Sequence, residues 1–223
     1  MQFWLDTIDL NLIEEAKQRV DLVGVTTNPK ILSKSEIKPE DKLKQILNAQ
    51  EGLVAAQVIA DDLSGMLSQG RKIGALDQKR MVVKIPVTPI GLQVIKTLSA
   101  EGITTLGTTV YETSQVYLAA IAGAQFVSPY LGRMEDHHIN AFSLLEEMLD
   151  IIDIHMFPLK LLAASIRSKE QIIKCAKLGV PAITIPEAAY KLLLSTHELT
   201  TASLEEFNLH WRDGKHTKDS KIF

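Results

Sequence analysis

Eight short apolar runs alternate with eight longer amphipathic segments along this chain, and that alternation limits the fold more than any other feature. The runs lie at residues 2–6, 23–27, 54–59, 81–85, 104–108, 126–130, 160–165 and 182–185. The amphipathic segments lie at 10–20, 39–49, 63–76, 91–100, 112–122, 140–153, 169–177 and 187–194. Strands that alternate with helices of this length form parallel sheets with crossover helices. Eight units in 223 residues give a pitch of about 28 residues, which suits a small (β/α)8 TIM barrel. A doubly wound open sheet is the architectural alternative. It usually carries a glycine-rich phosphate loop after its first strand, where this chain reads Asp6-Thr7-Ile8-Asp9.

Punctuation supports the same division. Asn28-Pro29, Ile85-Pro86, Ser128-Pro129 and Ile185-Pro186 fall at strand ends, since the residue before proline favours extended backbone. Gly102, Gly123 and Gly179 follow the helical segments, at the usual place of a C-terminal glycine. Residues 132–138 read as a polar insertion before a helix. Residues 203–211 form one further amphipathic helix, with Ser203 and Glu206 spaced as a capping box. The polar tail, 215–223, reads as mobile. The expected organisation is therefore one barrel domain over 1–223, with 203–223 as an additional C-terminal helix and tail.

Composition excludes several classes of function. The net charge is −3, so nucleic acid is not an expected partner. Cys175 is the only cysteine, which removes a disulfide framework and a cysteine zinc site. His137 and His138 sit in a polar loop beside Glu135 and Asp136, the setting of a solvated surface rather than a metal site. The opening Met-Gln-Phe-Trp-Leu-Asp has neither a basic start nor an apolar core, and no stretch is long enough to span a bilayer. A cytoplasmic protein with no membrane partner is expected.

Lys84 is the candidate centre. It lies in Met81-Val82-Val83-Lys84-Ile85-Pro86, an apolar strand. Such a lysine either snorkels to water or is a buried amine. Burial disfavours the ammonium, and a neutral amine attacks carbonyls to form Schiff bases. Strand alternation places Asp6, Thr26, Asn28, Gln57, Lys84, Thr108, Tyr130 and Ser165 in one phase, at the mouth where barrel enzymes keep their chemistry. Seven of the eight strands therefore end in an inward polar residue. The set has no histidine and no second carboxylate, which argues against a metal-ligand cluster and against two-carboxylate glycosidase chemistry. Arg133 and Arg167 follow the sixth and seventh strands. They read either as exposed side chains or as phosphate ligands beside Ser165.

Asp6, Gly24-Val25-Thr26-Thr27-Asn28-Pro29, Val83-Lys84-Ile85-Pro86-Val87-Thr88, Leu106-Gly107-Thr108, Pro129-Tyr130 with Arg133, and Ala163-Ala164-Ser165 resemble the transaldolase family. The likeness runs from Phe3 to about Trp211 and is closest to the small bacterial members that include fructose 6-phosphate aldolases. It implies a class I mechanism on a (β/α)8 barrel, with Lys84 as the Schiff-base residue and no metal or cofactor. It further implies that Asp6 and Asn28 orient the donor, and that Gln57 and Thr108 hold a water relaying protons to Tyr130. Thr26 and Ser128 would border the donor, and Arg133, Ser165 and Arg167 would hold a sugar phosphate. Gln57 and Tyr130 are the aldolase choices at positions where transaldolases carry glutamate and phenylalanine. Ser128 departs from the aldolase pattern, which has alanine there. The resemblance thus implies an aldolase acting on a ketose phosphate, with transaldol transfer as the alternative and a catalytically silent barrel as a third reading. It also implies a homo-oligomer, a decamer or pentamer, joined through the C-terminal helix.

Overall fold

The computed structural model describes residues 1–213. Eight parallel strands close into a barrel in the order β1-β2-β3-β4-β5-β6-β7-β8. They are β1 Gln2–Asp6, β2 Leu22–Thr26, β3 Leu53–Gln57, β4 Met81–Pro86, β5 Thr105–Val110, β6 Phe126–Pro129, β7 Lys160–Ala163 and β8 Ala182–Pro186. The helices are α1 Leu10–Lys17, α2 Pro29–Leu32, α3 Pro39–Ala49, α4 Leu63–Gly74, α5 Pro89–Ala100, α6 Thr113–Ile121, α7 Leu131–Asp136, α8 Ala141–Ile154, α9 Lys169–Lys177, α10 Glu187–Leu194 and α11 Glu198–Asp213. The barrel is the expected (β/α)8 fold with an additional C-terminal helix, so the open-sheet alternative falls.

Two layers of apolar side chains hold the barrel. Trp4, Ala55, Val82, Leu106, Phe126, Leu162 and Ala182 fill its interior. The alternate residues, among them Leu5, Val83, Ile85, Val127, Leu161 and Ile183, pack outward against the helices. A side chain of this size stabilises by about 1.5–3 kcal/mol when fully buried, so these layers dominate the fold. Trp4 meets the edge of Phe126 with ring centroids 5.7 Å apart. Gly24 leaves the space that the indole fills: a Cβ there would lie 2.6 Å from the Trp4 ring and 2.7 Å from the Leu53 carbonyl oxygen.

Helix starts follow from local chemistry. Asp9, Asn28, Asp62, Thr88, Asn140 and Ser168 each accept an N–H of the first helical turn, satisfying donors that have no partner within the helix. Gly102, Gly123 and Gly179 follow α5, α6 and α9 with positive φ, as their position suggests. Cys175 is buried, and desolvation pushes its thiol up to about 12, so it packs as an apolar group. Among the described residues, no helix is long and apolar enough to cross a membrane.

Three expectations change. Residues 132–138 are largely helical: Leu131 and Met134 are buried, and this i,i+3 pair draws α7 against the barrel. The C-terminal helix starts at Glu198, so Ser203 lies in its interior and cannot cap it. Ser165 does not share the inward phase. Leu161 and Ala163 pack in the outer layer while Leu162 points inward, and the strand ends before Ser165, whose φ is +61°. The tail at 215–223 lies outside the described residues.

Gly24→Ala is expected to lower the unfolding free energy by about 1–3 kcal/mol, the cost of overpacking a filled core. Chemical denaturation checks this. An unchanged midpoint would mean that β1 and β2 separate freely.

Candidate active site

Residues at the C-terminal ends of β1, β2 and β4, with one from within β8, form one polar cluster. Lys84 is 4% exposed, and its Nζ donates to the Thr27 carbonyl oxygen at 2.9 Å. β2 and β3 bring that carbonyl under the amine: the Thr27 N–H and hydroxyl both bond to the Ala55 carbonyl oxygen, at 2.8 and 2.9 Å. Asp6 closes the cluster. Its Oδ1 accepts from the Thr26 hydroxyl at 2.7 Å, and its Oδ2 accepts from the Asn28 amide at 3.3 Å. Asn28 has little freedom, because its own Oδ1 accepts the Ile31 N–H at 3.0 Å as the cap of α2, which leaves the NH2 facing Asp6.

Burial shifts the amine and the acid in opposite directions. Burial holds the Lys84 ammonium below the usual lysine range, and the Asp6 carboxylate only partly opposes this. Burial pushes the Asp6 carboxyl up, against Lys84 and the Thr26 and Asn28 hydrogen bonds. Both shifts favour a neutral amine beside a protonated acid.

A second group lies across the mouth. Thr108 and Tyr130 share a hydrogen bond of 2.8 Å between hydroxyl and phenol. Burial raises the Tyr130 phenol, with Thr108 and Arg133 working against it. The Arg133 guanidinium lies 5.0 Å from the centre of the Tyr130 ring. Gln57 is the register partner of Lys84 on the neighbouring strand. Ser128 is buried on β6.

Ser165 and Arg167 take other positions. The Ser165 carbonyl oxygen accepts the Gly132 N–H at 3.1 Å, joining the start of α7 to the loop after β7. The Arg167 guanidinium forks onto Asp136 at 2.5 and 2.6 Å. That bridge is half exposed on both sides, so its contribution to stability is small.

Sequence reasoning missed two parts of the cluster. The Thr184 hydroxyl lies 2.7 Å from that of Thr26. It sits before the end of β8, but it shares a face with Ala182, and that alternation would have found it. The Thr27 carbonyl has no side-chain signal at all. Glutamines also pin the loops that leave the strands. Gln69 on α4 accepts the N–H groups of Ile59 and Ala60 at 2.8 and 3.0 Å, and Gln171 on α9 accepts that of Arg167 at 2.5 Å. Among the described residues, no three His, Cys, Asp or Glu side chains group as a metal ion would need.

A parallel eight-stranded barrel with a buried lysine at its mouth defines the structural class. Within it, residues 3–220 match the family model described as Transaldolase/Fructose-6-phosphate aldolase, and the chain belongs to that family. A probable transaldolase of Clostridium acetobutylicum is 38% identical over 213 residues, covering 96% of this chain and 98% of that protein. A probable transaldolase of Bacteroides fragilis is 39% identical over 211 residues, covering 93% and 96%. One from Geobacillus thermodenitrificans is 37% identical, covering 95% and 98%.

Reaction of Lys84 with a small ketone, trapped by borohydride, should accelerate with pH and level off below about 10.4, the ordinary lysine value. The neutral amine reacts, so a lowered pKa moves the limb to lower pH. A limb at the ordinary value would mean that burial does not tune this amine.

Proposed function

We propose that this protein is a class I aldolase that cleaves or forms a ketose phosphate such as fructose 6-phosphate, through a Schiff base on Lys84. The observation that carries the reading is the buried amine, hydrogen-bonded to a neutral carbonyl with a carboxyl group close by. The Lys84 nitrogen adds to the C2 carbonyl, and the carbinolamine loses water to give an iminium. Asp6 supplies and recovers the protons of these steps, and Asn28 orients the donor hydroxyls. Loss of the C4 hydroxyl proton to a water held by Gln57 and Thr108, and through it to Tyr130, lets the C3–C4 bond break. Its electron pair enters the iminium as an enamine, and glyceraldehyde 3-phosphate leaves. Protonation and hydrolysis then release dihydroxyacetone and free the amine. Thr26 and Ser128 border the donor. Arg133, Ser165 and Arg167 are the proposed phosphate ligands, and Arg167 would exchange Asp136 for the substrate. A general acid–base group of this kind contributes roughly 10²–10⁴-fold in rate.

The name shared by the relatives supports a second reading, in which the enamine passes to another aldose before water reaches it. The two readings differ in one product. Borohydride with fructose 6-phosphate should add mass at Lys84, and fructose 6-phosphate alone should yield free dihydroxyacetone. Label on another lysine would sink the Schiff-base assignment. Labelled Lys84 with dihydroxyacetone released only when an aldose acceptor is present would favour transfer.

The same reading includes a homo-oligomer, a pentamer or decamer, joined through α11. Among the described residues none of α11 is buried, and Leu204, Phe207 and Trp211 are at least half exposed. Large side chains of this kind normally find cover. A heterologous contact of an arm with a neighbour gives a ring where its rotation closes. Truncation before Glu198 should give smaller species by light scattering. A full-length chain that stays monomeric at micromolar concentration would refute the arm exchange.

A further inference from the structure

The loop after β5 is built in a way the proton relay does not by itself require. Leu106 points into the barrel, so an unbroken pleat would turn Val110 inward as well. Val110 instead packs in the outer layer, and the ladder to β6 shifts register between Gly107 and Val110. Thr109 absorbs the slip as a bulge residue with φ +58°. A β-branched residue avoids that left-handed region, so contacts from outside the strand must hold it there.

Gln115, in the first turn of α6, makes those contacts. Its Nε2 donates to the carbonyl oxygens of Val87 at 3.2 Å and Thr109 at 3.4 Å, and its Oε1 accepts the Tyr111 N–H at 2.8 Å. One neutral side chain thus ties the loop after β4, the Lys84 strand, to the loop after β5. The clamped segment then surrounds Tyr130. The Thr108 hydroxyl meets the phenol at 2.8 Å. The Thr109 backbone, next to that hydroxyl, works against the burial that raises the phenol and so favours its ionised form. The Tyr111 ring packs edge-on against the Tyr130 ring, centroids 5.9 Å apart, and the Tyr111 hydroxyl accepts from Arg133 Nη1 at 3.4 Å. The charged groups acting on the phenol are Arg133, over the ring, and Asp6 across the mouth.

We propose that Gln115 is a positioning residue for Tyr130: by clamping the Thr109 bulge to the Lys84 strand, it sets the hydroxyl and backbone groups that the phenol needs to exchange protons. Its catalytic consequence rests on the aldolase reading, and its geometric consequence does not. Gln115 is uncharged, so replacing it changes the placement of donors and leaves the local charges as they were.

The test is Gln115→Met, with Gln125→Met as control. Gln125 makes comparable bonds at the opposite end of β5, accepting the Thr105 N–H at 2.7 Å and donating to the Gly123 carbonyl oxygen at 2.8 Å. The Tyr130 titration is read by ultraviolet absorbance, as the difference between each protein and the same protein carrying Tyr130→Phe. Gln115→Met should move this titration to higher pH, because donors to the ionised phenol are lost. It should lower kcat for ketose cleavage about tenfold, a part of what a placed acid–base group contributes, with KM within about twofold. Gln125→Met should leave both unchanged. Borohydride trapping of dihydroxyacetone on Lys84 should persist in Gln115→Met; its absence from the parent protein would count against the aldolase reading alone, with the titration still deciding the role of Gln115. A Tyr130 titration that stays at the parental pH in Gln115→Met, or moves equally in Gln125→Met, overturns the proposal. If Gln115→Met does not fold, Gln115→Asn is read by the same criteria, since its amide is one methylene too short to span both loops.

Discussion

The mouth of the barrel depends on one arrangement: a lysine amine taken out of water at the end of β4 and given a backbone carbonyl, that of Thr27, as its hydrogen-bond acceptor. A carboxylate in contact would have held the ammonium charged. A carbonyl satisfies the donor without doing so, and burial then favours the neutral amine. Asp6 acts on the amine through its charge, while its own oxygens are taken up by Thr26 and Asn28. The remaining features of the site keep this arrangement in place. Thr184 buttresses Thr26 from β8, and the capping duty of Asn28 keeps its amide turned to Asp6.

The opposite wall follows a different plan. β1, β2 and β4 deliver Asp6, Thr26 and Lys84 in the phase that alternation predicts, the irregularity in the β1–β2 ladder lying earlier, between Phe3 and Trp4. β5 instead departs from alternation, and its bulge brings Thr108, Thr109 and Tyr111 around one phenol. A residue in the left-handed region costs about 1–3 kcal/mol, a cost that persists in folds where surrounding contacts over-determine the conformation. Here those contacts come from the helix that follows. Gln69 and Gln171 act similarly after β3 and β7, so the rigidity of the loops is supplied largely by helix side chains reaching back to strand ends.

Most of the scaffold was legible in the chain. The eight strands and eight principal helices lie where hydrophobic periodicity and proline punctuation placed them, because burial against one core imposes period 2 on strands and 3.6 on helices. Asp6, Thr26, Lys84 and Thr108 were legible for the same reason. The failures have local causes. α7 is a six-residue helix with two buried apolar side chains, too short for a periodic signal. α11 starts five residues before Ser203, in a polar stretch that has helical propensity but no apolar stripe. Ser165 was assigned a phase by counting through a strand end, where a positive φ invalidates the count.

By itself the sequence determined the barrel, the layer of the strand residues that keep to simple alternation and the lysine at its mouth, because these follow from patterns within a few residues. Only the tertiary structure decided which groups those residues meet. Thr27 reaches Lys84 across 57 positions once β2, β3 and β4 have paired, and Thr184 reaches Thr26 across 158 only once the eighth strand has closed against the first. Arg167 lies on Asp136 and Gln115 on two separate loops for the same reason. A donor or acceptor is visible in sequence, but its partner is set by how separate strands and helices pack together.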